Sequence, residues 1–244
     1  MTLTLCIDVG GTGLKAAAVA LDGSMVSERV KLPTPYPCPP ERLVQRLGDL
    51  AAKLPACERV SVGFPGLVRD GRIWHVPALS RAEYGGAEDP QLANAWHGFN
   101  LQDALARALD LPVRVANDAD VQGCAVVQGS GFEFVMTLGT GVGTAVFNEG
   151  VLLPHLELSH AIFRKGETFD IQLGNAARKG IGNERWARRA LKAIAAFDAF
   201  LYFDTVHVGG GNAKYLDPAN LPPKARIVSN TAGLIGGVRL WDLG

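Results

Sequence analysis

Leu3, Leu5, Ile7 and Val9 alternate with smaller or polar residues, the period-two signature of a strand. The run stops at Gly10, Gly11, Thr12 and Gly13 and resumes through "LKAAAVAL" to Asp22-Gly23, a hairpin-turn dipeptide, after which "SMVSERVKL" alternates again. The pattern predicts strand, glycine turn, strand, DG turn, strand. Beyond the proline-rich "PTPYPCPP", residues 41–54 place Leu43, Val44, Leu47, Leu50, Ala51 and Leu54 on one helical face, and "RVSVGFPG" reads as a strand ending in a turn. Residues 69–100 hold glycines, prolines, Trp74 and Trp96 without a clear period, which predicts a loop-rich excursion. A short helix over residues 101–109 and the strand "PVRVAND" complete the first half.

The second half repeats the plan of the first. Residues 134–154, "FVMTLGTGVGTAVFNEGVLLP", give a strand, a G-T-G turn, a strand, an N-E-G turn and a strand. Gly10 and Gly139 occupy matching places, as do Asp22-Gly23 and Asn148-Glu149-Gly150. Two copies of one supersecondary unit facing each other build a cleft with a phosphate turn from each side. Helices over residues 183–199 and 212–216, the strands "TVHVGG" and "ARIVSN" and a last helix, "TAGLIGGVRLW", follow. The expected division is a first lobe of residues 1–113, with the C-terminal helix of residues 231–244 packed back on it, and a second lobe of residues 114–230.

Composition narrows the partners. Lysine plus arginine and aspartate plus glutamate each number 24, so no global field draws the chain to nucleic acid or an anionic membrane, and any polyanion site is local. An apolar share of 48% suffices for a sizeable core. Cys6, Cys38, Cys57 and Cys124 are scattered with no C-x-x-C spacing, which fits a reducing compartment. The N-terminal "MTLTLCIDVGG" lacks the basic head and long apolar core of a signal peptide, and no apolar run approaches the roughly 20 residues of a membrane span. A cytoplasmic protein is expected.

The opening turn fails both familiar phosphate-loop tests. A Walker loop needs lysine directly after the last glycine and a helix next; a dinucleotide fingerprint needs G-x-G-x-x-G opening a helix. Here the glycines join two strands. Their backbone N–H groups can approach a phosphate closely, with the Thr12 hydroxyl as an added donor, Asp8 placed to hold Mg²⁺ directly or through water, and Lys15 as a point charge. Asn117-Asp118 ends a strand on the side where open α/β sheets bind ligands; Asp118 is the candidate base for a hydroxyl nucleophile, with helix capping as its rival role and Asp120 as a second acid. Glu157 and His160 in "HLELSH" can grip vicinal sugar hydroxyls. A zinc site is the competing reading of His160, but no clustered cysteines follow it. His75, His97, His155 and His207 lack such partners and read as structural. Gly209, Gly210 and Gly211 form a backbone shelf for a base or a phosphate chain, and the basic run over residues 178–192 is a solvated helix face or a track for polyphosphate.

Taken in order, "IDVGGTGLK", "VANDAD", "LGTGVGTAVFNEG", "ELSH" and "HVGGGNAK" resemble the ROK family of sugar kinases, within the sugar kinase, heat-shock cognate and actin superfamily. The region "NAARKGIGNERWARRALKAI" looks most like its polyphosphate-dependent glucokinase branch. The resemblance implies an α/β, two-lobed actin-like ATPase fold of the ribonuclease H-like type, with duplicated βββαβα units around a central cleft. It implies phosphoryl transfer from polyphosphate or ATP to the 6-hydroxyl of glucose, with Mg²⁺ and a homodimeric enzyme. Carried over, Asp118 becomes the base, Asn117, Glu157 and His160 sugar ligands, and Asp8 part of the Mg²⁺ site. Gly10, Gly11, Thr12 and Lys15 become the first phosphate turn, Gly139, Thr140 and Gly141 the second, and Gly209, Gly210 and Gly211 the donor shelf.

Two departures matter. The family's E-x-G-H reads E-L-S-H here, and if that glycine needs positive φ, Ser159 costs stability or shifts His160. The cysteine-rich zinc motif of many relatives is missing, so no zinc is expected. A kinase for mannose or an N-acetylated hexose, an inactive sugar-binding relative and an actin-like assembly ATPase are the alternatives; Asp8, Lys15 and Asp118 together favour an enzyme.

Overall fold

The structure, a computed structural model, describes residues 2–228 and 232–243. The chain divides into two compact units, one of Met1–Ala125 with Gly233–Leu243, the other spanning Val126–Ala232.

The first unit opens with β1 (Leu3–Val9), β2 (Gly13–Ala20) and β3 (Val30–Pro33), followed by α1 (Pro40–Ala51) and β4 (Arg59–Phe64). The short strands β5 (Leu67–Arg69), β6 (Arg72–His75) and β7 (Phe99–Asn100) flank α2 (Pro90–Trp96), and α3 (Leu101–Leu109), β8 (Val113–Asn117) and α4 (Asp118–Val126) follow. The main sheet has the order β3-β2-β1-β4-β8, antiparallel across β1 and β2 and parallel from β1 through β4 to β8. Its core is built as the helical face of α1 predicts: Leu43, Leu47 and Leu50 are fully buried against Ile7, Val60, Val62 and Phe64, with Leu101 and Leu105 of α3 beside them.

The second unit holds β9 (Phe132–Leu138), β10 (Val142–Asn148), β11 (Val151–Leu152), β12 (Ile162–Arg164) and β13 (Glu167–Thr168). It continues with α5 (Phe169–Leu173), α6 (Asn175–Ile181), α7 (Asn183–Leu201), β14 (Thr205–Gly209) and β15 (Ala225–Ile227). Its sheet order, β11-β10-β9-β14-β15, with two antiparallel and two parallel pairings, is the first sheet again strand for strand. The duplication read from the sequence is thus a duplication of topology. The turns differ by one residue: Gly10, Gly11, Thr12 and Gly13 separate the pair Val9 and Leu14, whereas Gly139, Thr140 and Gly141 separate Leu138 and Val142. The core is aromatic, with Phe169 stacked on Phe163 at 4.4 Å and on Phe197 at 4.3 Å, and Phe134 5.0 Å from Phe197.

Some sequence expectations need correction. The strand expected over residues 24–32 shrinks to β3, with a single bridge from Met25 to Val19 upstream of it, because the Ser27 hydroxyl takes the Ala18 N–H at 2.9 Å in place of a ladder carbonyl. The excursion at residues 69–100 is not only loop. It contains β6, β7 and α2, the last capped by Asp89, whose carboxylate accepts the N–H of Gln91 and Leu92. Strands this short fall below the window in which a period is visible. The first unit reaches past residue 113, since β8 pairs along its whole length with β4. The last helix, α8 (Ala232–Leu243), belongs to the first unit, where the Trp241 indole donates to Ser61 Oγ at 2.8 Å and lies between Arg59 and Arg114, each 5.0 Å from its ring. Ser229 and Asn230 of the expected last strand, and Thr231 of the expected helix, lie outside the described residues.

Candidate active site

In the first sheet the parallel strands β1, β4 and β8 deliver their carboxyl ends to one edge. Asp8 is in register with Gly63, and Gly63 with Ala116, so Asp8 stands two strand spacings, about 10 Å, from the β8 terminus that carries Asn117 and Asp118. This is the edge at which open α/β sheets bind ligands.

Asp8 faces Lys15 across the β1–β2 hairpin, and Lys15 Nζ donates to Asp8 Oδ2 at 2.8 Å. Both side chains are about two-fifths exposed, at 41% and 40%, so the pair adds little to stability and is available to a ligand. The turn between the strands is fastened by its carbonyls. Thr34 Oγ1 donates to Gly10 O at 2.6 Å, and the single Tyr36 hydroxyl proton is shared between Gly11 O at 2.7 Å and Ala78 O at 2.9 Å. Gly10 N closes the turn on Gly13 O. The N–H groups of Gly11 and Thr12 have no acceptor among the described residues, so the turn presents donors, a concave nest suited to an anion.

At the head of α4, capping falls mainly to Asn117. Its Oδ1 accepts the Ala119 N–H at 2.7 Å, while Nδ2 donates to Gly66 O at 2.9 Å. Asp118 Oδ1 lies 2.9 Å from the same amide, and its side chain is only partly buried. Asp120, by contrast, is enclosed, at 3% exposure.

In the second unit β9 and β14 bring their carboxyl ends together, with Thr137 in register with Gly209. The turn after β9 is braced like the first. Asn212 Nδ2 donates to Gly139 O at 2.9 Å, Asn175 N reaches both Gly139 O and Thr140 O at 3.1 Å, and Gly139 N closes on Gly141 O at 2.9 Å. The N–H groups of Thr140 and Gly141 are left without an acceptor among the described residues. Of the three shelf glycines, Gly210 has a packing reason of its own: φ is +85°, and a Cβ there would stand 2.3 Å from Leu138 O.

Glu157 sits between two imidazoles. His155 Nε2 is 3.6 Å from Oε1 and His160 Nε2 is 3.8 Å from Oε2, with His155 buried and His160 half-exposed. His155 therefore has a partner, contrary to the sequence reading, and the H-x-E-x-x-H spacing was the signal for it. His207 does too: its Nε2 lies 2.6 Å from Glu133 Oε2, both groups buried. Ser159 is buried in a 3₁₀ turn, Leu158–His160, and is not among the residues with positive φ, so serine in place of glycine imposes no backbone strain. In the basic run, Arg178 is committed to structure: it donates to Asn175 Oδ1 and Asn183 Oδ1 and covers the Tyr215 ring at 4.2 Å. Arg189 donates to Gln172 O, and burial, with the neighbouring Arg164 and Arg185 charges, pushes its pKa down.

The chain is 26% identical to a polyphosphate glucokinase of Mycobacterium tuberculosis over 94% of its own length and 88% of that protein. An N-acetylmannosamine kinase of Escherichia coli is 36% identical, but over 62% of this chain and 49% of the relative. Among solved structures, the inorganic polyphosphate/ATP-glucomannokinase of Arthrobacter sp. strain KM superposes with a TM-score of 0.79 at 27% identity, covering 100% of this chain and 99% of that one. The fold is therefore the actin-like ATPase fold of these sugar kinases. The ROK family model matches residues 4–154, well over half of the chain and spanning both glycine turns and the Asn117-Asp118 pair, so the protein is a member of the ROK family.

Proposed function

We propose that the chain is a glucokinase that transfers a phosphoryl group from inorganic polyphosphate or ATP to the 6-hydroxyl of glucose. One observation carries the reading: each repeat ends its first strand in a hairpin turn whose carbonyls are tied back and in which two N–H groups have no acceptor among the described residues, donors that suit an anion. Likeness over nearly the whole chain to a polyphosphate glucokinase and to a polyphosphate/ATP-glucomannokinase supports the donor and sugar class.

The 6-hydroxyl oxygen attacks the terminal phosphorus, the bond from phosphorus to the leaving phosphate oxygen breaks, and the hydroxyl proton passes to the Asp118 carboxylate. Asn117 holds the head of α4 in place and keeps its second amide hydrogen for a sugar hydroxyl. Glu157 and His160 take further hydroxyls, the carboxylate as acceptor and the imidazole as either partner. Gly10, Gly11, Thr12 and Lys15 cradle the transferred phosphoryl group, while Gly139, Thr140, Gly141 and the shelf at Gly209, Gly210 and Gly211 hold the donor chain. Among the described residues no three His, Cys, Asp or Glu side chains converge on one point. A single exposed carboxylate steadied by Lys15 suits Mg²⁺, which keeps most of its waters and rides on substrate phosphates; Asp8 would hold it through water, and the ion would supply charge neutralisation.

The resemblance supports a homodimer, which light scattering at twice the chain mass would bear out. A cytoplasmic setting is supported by four free cysteines; among the described residues no helix is long and apolar enough to cross a membrane. The test of the donor and sugar assignment is a panel of glucose, mannose and N-acetylmannosamine against ATP and polyphosphate. Glucose is expected to give the highest kcat/KM; an N-acetylated hexose ahead of glucose would overturn the sugar, and no product with any pair would overturn the enzyme.

A further inference from the structure

Val142 N, at the exit of the second turn, donates to Asp170 Oδ1 at 2.7 Å, which fastens the turn to the start of α5. Gly141 lies hard against the same carboxylate: a Cβ built on it would stand 2.1 Å from Asp170 Oδ1. The main chain of this segment grips the turn as well. A Cβ on Gly174 would meet Thr140 O at 2.5 Å, and Asn175 N bonds Gly139 O and Thr140 O. Among the described residues no carboxylate bonds the first turn in this way; its Gly10 and Gly11 carbonyls are held by the neutral hydroxyls of Thr34 and Tyr36.

A carboxylate beside an anion-binding turn repels the anion it serves. Its presence is explained by the bond it makes: Oδ1 accepts the Val142 N–H at 2.7 Å, and the reach of that acceptor sets where the turn stands. With Val142 N bonded to Asp170, the donors of the turn that have no acceptor among the described residues reduce to Thr140 N and Gly141 N. We infer that Asp170 is a positioning residue for the phosphoryl donor, fixing the direction of these two amides without touching the reacting atoms. The inference rests on the reading of this turn as the donor site.

The experiment compares Asp170→Asn, Asp170→Glu and Asp170→Ala with the parent chain. It reads calorimetric affinity for inorganic tripolyphosphate and for ATP with Mg²⁺, then the KM values for donor and for glucose. Asparagine keeps an acceptor at the same reach and is expected to stay within about threefold of the parent. Glutamate keeps the charge but displaces the turn, and alanine removes the bond; each is expected to weaken donor binding about tenfold and leave the glucose KM within about twofold. The Glu and Asn variants carry the comparison if the Ala variant does not fold. Gly141→Ala is expected to harm donor binding in the parent and to add little on top of Asp170→Ala, because the clash it creates is with that carboxylate. Donor affinity lost in Asp170→Asn but kept in Asp170→Glu would overturn the inference, as would unchanged affinity in both Glu and Ala variants. Tripolyphosphate binding without transfer to any hexose would overturn the kinase reading alone, and no donor binding by the parent would overturn both.

Discussion

Asn117 Nδ2 donates to Gly66 O at 2.9 Å, and this bond ties the end of β8 to the turn that leaves β4. Because Oδ1 of the same amide accepts the Ala119 N–H, one side chain sets the position of the helix that begins with Asp118. Asn117→Ala removes both bonds from a residue that is 6% exposed and strands the Gly66 carbonyl. The expected cost is about 1–3 kcal/mol in urea unfolding, with kcat falling more than stability alone accounts for. Asn117→Asp keeps the cap and loses the donor, so it is expected to recover part of the stability and little of the activity.

The buried pair of Glu133 and His207 gives a pH dependence. Burial pushes the Glu133 carboxyl up, but hydrogen bonds from Gln128 N, His207 Nε2 and Gly129 N outweigh it and hold the group below its usual range. A carboxyl depressed in the folded state contributes stability that is present above its unfolded pKa, about 4.3, and lost as pH falls through the folded value. Urea midpoints measured from pH 7 down to pH 3 are expected to fall below about pH 4.5 in the parent and to fall less steeply in Glu133→Gln. Equal slopes would assign the acid sensitivity elsewhere.

The thiols of Cys6, Cys38 and Cys124 are buried, and burial pushes each up to about 12. Cys57, half-buried, is raised by burial and by the Glu58 charge. Thiolate is the reactive form, so the folded chain at pH 7.5 is expected to react slowly with Ellman's reagent, with Cys57 first and the other three only on unfolding. Rapid titration of all four in the native protein would contradict the packing.

Gly210→Ala combines a left-handed backbone with a Cβ 2.3 Å from Leu138 O. The neighbour is backbone and cannot step aside, so the substitution is expected to cost several kcal/mol, about 2–4, in thermal unfolding. Gly139→Ala is the contrast: nothing lies within 4 Å of its Cβ position, so the fold is expected to tolerate it and any loss to appear in the donor KM.

What was legible in the sequence was the duplicated hairpin, because alternation, a glycine turn and a second turn recur at Leu5 and at Phe134 with enough repeats to exceed chance. The helices α1 and α3 were legible for the same reason, as periodic apolar faces. The two- to four-residue strands β5, β6 and β7 were not, since a period needs more residues than they contain. Long-range partners were equally hidden. Nothing near His207 in the chain announces Glu133, 74 residues away, and nothing near Gly141 announces Asp170. Local chemistry showed which residues could act; tertiary pairing decided that Arg178 is a brace and Asn117 a cap.

The most direct test of the account is glucose 6-phosphate formation by the parent and by Asp118→Asn, with polyphosphate and with ATP, alongside calorimetric glucose binding. The account predicts that the parent turns over and that Asp118→Asn loses a factor of about 10²–10⁴ in kcat with both donors while still binding glucose. An Asp118→Asn variant that phosphorylates glucose at a rate comparable to the parent would contradict it.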